Sequence, residues 1–257
     1  FSYMDKETLF NISIYIYCFS FLLLLLVPFI GVEVKGSKRW LDFAFLPRLQ
    51  PIELLKPFFI IFLSLIISHE KISNYILKFI FSLLLTLSIV SLLIIQPDIG
   101  QTLLVVLSWV ILIFISGINL FFLTLISSVG MMLLLYVTFY LPKFEYIKNR
   151  ILSFFDSEKG TYNFQSDKAL DSIISGGYFG KGIGEGTLKN RVPEAHTDYI
   201  ISVISEEFGV ASIVLILILF LIFIYSILKK VNQENDDKIK LILVGSISLI
   251  LLQAMIH

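Results

Sequence analysis

A short polar segment before a long apolar stretch holds the side chains best suited to chemistry. Glu194, His196 and Asp198 lie close together there, just after Pro193. A positioned carboxylate can act as a general base, but Asp198 would also cap the helix that follows. One histidine beside two carboxylates is too small a set for a metal site, which needs three or more converging ligands. The segment therefore predicts either acid–base chemistry or helix capping.

Charged residues also stand at the start of another apolar stretch. Glu53 and Lys56 are three residues apart, which places them on one helical face where they can form an ion pair. Because charges in a membrane span are costly unless paired or facing a cavity, Lys56 either belongs to a structural pair or faces an anionic ligand. A basic turn with an aromatic residue is predicted before it at Gly36-Ser37-Lys38-Arg39-Trp40, either an interfacial anchor or a phosphate site.

A glycine-rich segment and a separate turn complete the polar candidates. Six of the 14 glycines fall between Gly176 and Gly186, around Lys181. The spacing is not that of a phosphate-binding P-loop, yet backbone amides freed by glycine can wrap an anion. A structurally required turn explains the glycines equally well. Asp98 lies in a turn between two apolar stretches, where it is expected to cap the next helix.

The elements that must position these side chains are membrane-spanning helices. Hydrophobic residues make up 57% of the chain and charged residues 16%, and the mean hydropathy is +0.89, unlike a soluble domain. Runs of about 17–25 apolar residues can cross a bilayer. Seven occur: Phe10–Val32, Ile52–Ser68, Asn74–Ile95, Gln101–Gly117, Asn119–Leu141, Tyr199–Leu228 and Lys240–His257. We therefore predict an all-α, polytopic transmembrane bundle, with residues 1–257 forming one integral membrane domain.

Charge is informative only locally. The 20 basic and 20 acidic residues cancel, which favours neither a nucleic-acid partner nor a polybasic lipid anchor. The alternation of spans places the two long connections, Glu33–Pro51 and Pro142–Asp198, on one side of the membrane. Basic residues concentrate on that side, which the positive-inside rule alone would assign to the cytoplasm.

The sixth predicted span begins with a polar face. One helical stripe of polar or small residues, suited either to a cavity or to a close helix contact, contains Asp198, Ser202, Ser205 and Gly209. Glu206 and Glu207 lie deeper in the same stretch, so at least one of them is expected to be buried and paired. The start of this span is therefore expected to face other protein or a cavity.

Several motifs, in this order, resemble those of the SEDS family of polytopic membrane proteins, which includes FtsW, RodA and SpoVE. They are Lys38-Arg39-Trp40 with Gln50-Pro51-Ile52-Glu53-Leu54-Leu55-Lys56, then Gln96-Pro97-Asp98-Ile99-Gly100, then Ser175–Gly182, then Pro193–Asp198 with Glu206-Glu207-Phe208-Gly209. Ile52 departs from the family pattern, where serine is usual. The resemblance covers essentially the whole chain, and Gly184-Glu185-Gly186-Thr187 looks more like FtsW than RodA.

The resemblance implies ten spans in the complete protein, so we expect this chain to be a piece that lacks the first two spans and the last. It implies a glycosyltransferase of the bacterial cytoplasmic membrane that polymerises lipid II into glycan strands during cell division. Its active site would face the periplasm, so residues 142–198 would form one large extracytoplasmic loop despite their basic charge. The implied partners are a class B penicillin-binding protein and other division proteins. No cofactor is fixed, and a divalent cation is left open.

Carried over residue by residue, the resemblance implies that Asp198 is the catalytic general base. The expected substrate-binding residues share the same motifs: Arg39, Glu53, Lys56, Asp98, Lys181, Glu194 and His196. Among them, Arg39, Lys56 and Lys181 are the cations expected to stabilise the pyrophosphate leaving group.

Two other functions stay open at the level of sequence. A lipid II flippase would also need a polar cavity among helices, and it would tolerate Asp198→Asn if charge and shape were kept. A non-catalytic divisome scaffold that activates a class B penicillin-binding protein would function with every site residue replaced.

Overall fold

The structure, a computed structural model, describes residues 5–34, 37–43, 46–69, 74–117, 120–140, 145, 148, 164–186 and 200–256. The chain divides into two compact units. The first contains residues 1–130 and 227–256, and the second contains residues 131–226.

Nine α-helices and three short β-strands make up the secondary structure of the described residues. The helices are α1 (Lys6–Ile30), α2 (Pro51–Ile67), α3 (Tyr75–Ile95), α4 (Ile99–Ile115), α5 (Leu120–Tyr140), α6 (Phe164–Gly176), α7 (Ile200–Phe208), α8 (Val210–Gln233) and α9 (Asp237–Ile256). The strands are β1 (Val32–Val34), β2 (Ser37–Phe43) and β3 (Leu46–Leu49). Among the described residues, each predicted span is largely helical, and the predicted helical fold class is confirmed.

Four of the described helices are long and apolar enough to cross a membrane on their own: α1, α3, α8 and most of α9. Helices α2 and α4 have 17 residues each, at the short end of what a bilayer requires.

Helix α2 lies at the centre of the first unit, packed against α1, α3, α4 and α9. It begins at Pro51, whose missing N–H is not needed at the first helical position. Leu55, Phe59 and Ile60 along it are almost completely buried. Where α9 packs on α2, a Cβ at Gly245 would lie 2.6 Å from Ile60 Cγ2, so glycine permits the close approach of the two helices.

The connection between α1 and α2 forms a small antiparallel sheet with the strand order β1-β2-β3. The predicted basic turn around Arg39 is therefore wrong, because this residue lies within β2. Along β2, Lys38 and Asp42 are exposed whereas Leu41 is buried, the two-residue period of a half-buried strand. In the sequence this alternation extends over too few residues to outweigh the turn preference of Gly36 and Ser37.

The sixth predicted span is divided at Gly209 into α7 and α8. Gly209 has a φ of +77°, the left-handed conformation with which many helices end. A Cβ at this position would collide with the carbonyl of Tyr178. In the second unit α6 packs along α7, and residues 177–186 fold over the break between α7 and α8.

Candidate functional site

An ion pair inside the first unit joins three helices. Lys56 on α2 is only 1% exposed, and its Nζ lies 2.8 Å from Glu53 Oε2, as the three-residue spacing predicts. Lys56 Nζ also donates to Gln253 Oε1 on α9 at 3.0 Å. Gln101 on α4 donates from Nε2 to Glu53 Oε1 at 2.8 Å. Glu53 and Gln253 thus give the buried ammonium a carboxylate and an amide oxygen, without which its charge would be very costly in a membrane protein.

A second ion pair joins strand β2 to the turn between α3 and α4. Arg39 Nε is 3.5 Å from Asp98 Oδ2, and Arg39 Nη2 donates to the carbonyl of Pro97 at 2.8 Å. Asp98 accepts a hydrogen bond from the Gln101 amide at 3.4 Å and so caps α4 as predicted. Burial raises the pKa of the Asp98 carboxyl, and the neighbouring Arg39 guanidinium opposes this rise.

Gln101 links the two pairs, because its backbone contacts Asp98 and its side chain contacts Glu53. The result is one continuous group, which we call the first polar cluster: Arg39, Glu53, Lys56, Asp98, Gln101 and Gln253. Its formal charges cancel, and both cations lie beside a carboxylate. The most accessible members of its ion pairs are Glu53 and Arg39, whose side chains are 40% and 29% exposed. In the described ranges, no three His, Cys, Asp or Glu side chains converge as metal ligands.

The second unit contains its own buried carboxylate. Glu206 on α7 is fully buried, and it lies 3.3 Å from Lys181 Nζ and accepts from Ser172 Oγ at 3.0 Å. The prediction that one member of the Glu206-Glu207 pair is buried and paired is thus confirmed. Lys181, expected from the resemblance to meet a pyrophosphate, neutralises this carboxylate here.

The glycine-rich segment uses its backbone amides inside the protein. Lys181 N donates to Glu206 O at 2.9 Å, and Gly182 N donates to Glu207 O at 3.1 Å. A Cβ at Gly180 would collide with the Glu207 carbonyl. Of the two interpretations offered by the sequence, these contacts support a structurally required turn over an anion cradle.

The polar stripe at the start of the sixth span is a helix contact at both of its described serines. Ser202 and Ser205 are almost fully buried. Ser172 on α6 donates to Ser202 O at 3.4 Å, and Ser205 donates to Ile173 O at 3.5 Å. Small side chains here allow α6 and α7 to approach closely.

The predicted catalytic residue Asp198, with Glu194 and His196, lies outside the described residues. The prediction of its role therefore stays a prediction. Of the other expected residues, the structure brings four together in the first polar cluster and places the fifth, a lysine, in the second unit. Sequence reasoning missed Gln101 and Gln253. In the sequence each is only an uncharged amide within an apolar stretch, which is a weak indication of a site.

Comparisons with known proteins agree over the length of the chain. The model of a family described as "Cell cycle protein", covering FtsW, RodA and SpoVE, matches residues 1–257. A "Probable peptidoglycan glycosyltransferase FtsW" of Caulobacter vibrioides is 31% identical over 245 residues, which cover 95% of this chain and 62% of the relative. A protein of the same description from Nitrosococcus halophilus is 34% identical over 211 residues, covering 80% of this chain and 54% of the relative. This chain thus spans a little more than half the length of these relatives.

Solved structures share the fold. One, described under "Structural coordination of polymerization and crosslinking by a peptidoglycan synthase complex", has a TM-score of 0.74 at 25% identity and covers 98% of this chain and 70% of that one. The Rod shape determining protein RodA of Thermus thermophilus has a TM-score of 0.65 at 23% identity, covering 98% of this chain and 67% of that one. Together with the apolar helices, this likeness makes the protein a multi-pass membrane protein. The chain belongs to the FtsW/RodA/SpoVE family of cell cycle proteins.

Proposed function

We propose that the protein containing this chain is a peptidoglycan glycosyltransferase that polymerises lipid II into glycan strands during cell division. The observation that carries the proposal is the identity to relatives named as probable peptidoglycan glycosyltransferases, which extends over nearly the whole chain. The first polar cluster supports it, because charged groups inside a membrane bundle are costly and commonly mark functional sites.

The proposed chemistry assigns one proton and one leaving group. A hydroxyl of the acceptor sugar attacks the anomeric carbon of the donor, and Asp198 accepts the proton of that hydroxyl. The new glycosidic bond forms as the bond from the anomeric carbon to the pyrophosphate breaks, and the electron pair leaves with the lipid-linked pyrophosphate. Negative charge therefore develops on the leaving group, where a cation stabilises the transition state.

Side-chain exposure supports an order among the candidate cations. Arg39 exposes 29% of its side chain beside Asp98, whereas the Lys56 side chain exposes only 2% and contacts Glu53. We therefore assign direct contact with an anionic group to Arg39 first. Lys56 then acts through Glu53, as a positioning residue that holds this more accessible carboxylate in place. Lys181, paired with Glu206, would contact an anion only by leaving that carboxylate.

A class B penicillin-binding protein is the proposed partner, alongside other division proteins. Support comes from the similar solved structure whose description joins polymerization and crosslinking in one complex. The proposed location is the bacterial cytoplasmic membrane, with residues 142–198 and the active site on the periplasmic side.

Lipid II polymerisation in vitro by the full-length protein with its penicillin-binding partner tests the proposal. We expect glycan strands in a reaction where the partner's own transpeptidase is blocked. Transport of lipid II across vesicles without polymer would favour the flippase. Normal cell division supported by a protein that neither polymerises nor transports would favour the scaffold.

A further inference from the structure

The loop that follows α6 presents unusually exposed apolar side chains. Tyr178 is 81% exposed, Phe179 is 90% exposed and Ile183 is 79% exposed. Leu170 and Ile174 extend the same apolar character back along α6, with 55% and 68% exposure. A cluster of this kind outside the helical core usually marks a contact with a membrane or a partner.

The level of this loop follows from the length of α8. From Val210 to Leu228 the helix contains 19 consecutive residues without a charge, and Lys229 and Lys230 follow directly. At 1.5 Å per residue this run is about 28 Å long, close to the roughly 30 Å of a bilayer's hydrocarbon core. With the lysines at one boundary of the membrane, Val210 lies at the other.

Hydrogen bonds tie the loop to that boundary. Val210 N donates to Gly177 O at 2.9 Å, and Ala211 N donates to Tyr178 O at 3.3 Å. The chain then turns back, since Lys181 N donates to Glu206 O one helical turn before α8 begins. Residues 177–180 are therefore the tip of the loop, at the level of the first turn of the span.

The chemistry of the tip suits the interface between lipid headgroups and acyl chains. Gly177, Tyr178, Phe179 and Gly180 carry no charge, while Lys181 on the returning limb is held by Glu206. Aromatic side chains are enriched at this depth in membrane proteins, and apolar residues in the first turns of α8, such as Val214 and Leu215, are exposed as well.

We propose that the tip at residues 177–180 inserts into the membrane interface, with Tyr178 and Phe179 as its lipid contacts. The occupant of this apolar surface is thus the bilayer. Insertion holds the start of α8, and with it the neighbouring Lys181–Glu206 pair, at a fixed depth in the membrane. The proposal does not depend on glycosyl transfer.

Depth-dependent quenching tests the proposal in the full-length protein. In a Cys18→Ser background, Phe179→Cys is labelled with the fluorophore NBD and placed in phosphatidylethanolamine–phosphatidylglycerol nanodiscs. Glu185→Cys, an exposed position on the returning limb of the same loop, is the matched control. Lipids with a nitroxide near the headgroup should quench the Phe179→Cys label about threefold more than the control label, and aqueous iodide should show the reverse order.

Equal iodide quenching at both positions would overturn the proposal. A label at Phe179→Cys that is protected from iodide only when the penicillin-binding partner is added would also overturn it, because the surface would then be a protein interface. Tyr178→Cys provides a second labelled variant with the same expected order. Because the Tyr178 side chain is exposed, this substitution is not expected to disrupt the fold.

Discussion

Lys56 and Glu53 form an ion pair whose two members stand in different surroundings. The Lys56 side chain is 2% exposed, while that of Glu53 is 40% exposed. Removing the carboxylate leaves a buried ammonium with Gln253 as its remaining described acceptor. Removing the ammonium leaves a carboxylate that water reaches and that Gln101 still contacts. The pair is therefore asymmetric in its contribution to stability.

We predict that Glu53→Ala lowers the apparent melting temperature of the detergent-solubilised protein more than Lys56→Met does. The cost of Glu53→Ala should lie at or below the about 3–5 kcal/mol seen when a buried pair is broken, because Glu53 is partly exposed. The double variant Glu53→Ala with Lys56→Met should lose less stability than the sum of the losses of the two single variants.

The exposed pair Lys168–Asp171, with the same three-residue spacing, is the matched control. Asp171→Ala should change stability by less than about 1 kcal/mol, as for surface ion pairs in general. Equal losses of stability for Glu53→Ala and Asp171→Ala would contradict the claim that Glu53 neutralises a buried Lys56 ammonium.

Asp98 predicts a dependence on pH. Burial raises the pKa of its carboxyl above the ordinary value of 3.8, so the ionised form opposes folding and the cost fades as pH falls through the folded pKa. Arg39 offsets that cost while Asp98 is ionised. Arg39→Met should therefore destabilise the protein more at high pH than at low pH, as followed by thermal unfolding across the acid range.

The double variant Arg39→Met with Asp98→Asn serves as the control for this experiment, because it lacks the Asp98 carboxyl through which Arg39 is proposed to act. Its stability difference from the wild type should vary less with pH. An Arg39→Met effect that is the same at all pH values would show that the guanidinium does not act through Asp98.

Residue spacing predicted only the local part of the site. The Glu53–Lys56 pair follows from three residues on one helical face, and the Asp98 cap follows from its place before a helix. Gln253 lies 197 residues from Lys56, and its role depends on how α9 packs against α2. No local pattern contains that information.

Among the elements, the break between α7 and α8 depends on a close backbone approach at Gly209. Gly209 combines a φ of +77° with a collision between any Cβ and the Tyr178 carbonyl. Gly184 has a similar φ of +82°, but nothing lies within 4 Å of its Cβ position. Comparing substitutions at the two glycines therefore separates the cost of left-handed backbone, which both share, from the cost of crowding, which only Gly209 has.

We predict that Gly209→Ala destabilises the protein clearly more than Gly184→Ala. Left-handed backbone alone costs an alanine about 1–2 kcal/mol, and only Gly209→Ala must also displace a hydrogen-bonded backbone. Melting temperatures and yields of folded protein measure the difference. Equal melting temperatures for the two variants would show that residues 177–186 do not pack against the break at Gly209.

Helices were predictable from the sequence because about 20 apolar residues in a row leave the backbone no alternative in lipid. The division at Gly209 was not, since α7 and α8 together read as one apolar run. Strand β2 was missed because its alternation covers few residues, and pairing with β1 and β3 decides its structure.

For the molecule as a whole, we predict from the alternation of the spans that the β-sheet and the connection between α8 and α9 lie on opposite sides of the membrane. In a Cys18→Ser background, Lys38→Cys should react with an impermeant maleimide in intact cells. Asn235→Cys should react only after the membrane is opened. Both positions are exposed, so access rather than burial decides the result, and the reverse pattern would invert the proposed orientation.

The central claim is that Asp198 is the general base of lipid II polymerisation. It is tested by measuring lipid II turnover by the full-length protein with its partner, comparing the wild type, Asp198→Asn and the surface control Asp171→Asn. We predict that Asp198→Asn loses about 10²–10⁴-fold in turnover, the usual contribution of a general base, while Asp171→Asn stays active. Expression, melting temperature and partner binding of Asp198→Asn should stay near those of the wild type, because loss of a helix cap costs only about 1 kcal/mol. A folded Asp198→Asn protein whose turnover stays within about threefold of the wild type would contradict the catalytic assignment and leave Asp198 a capping residue.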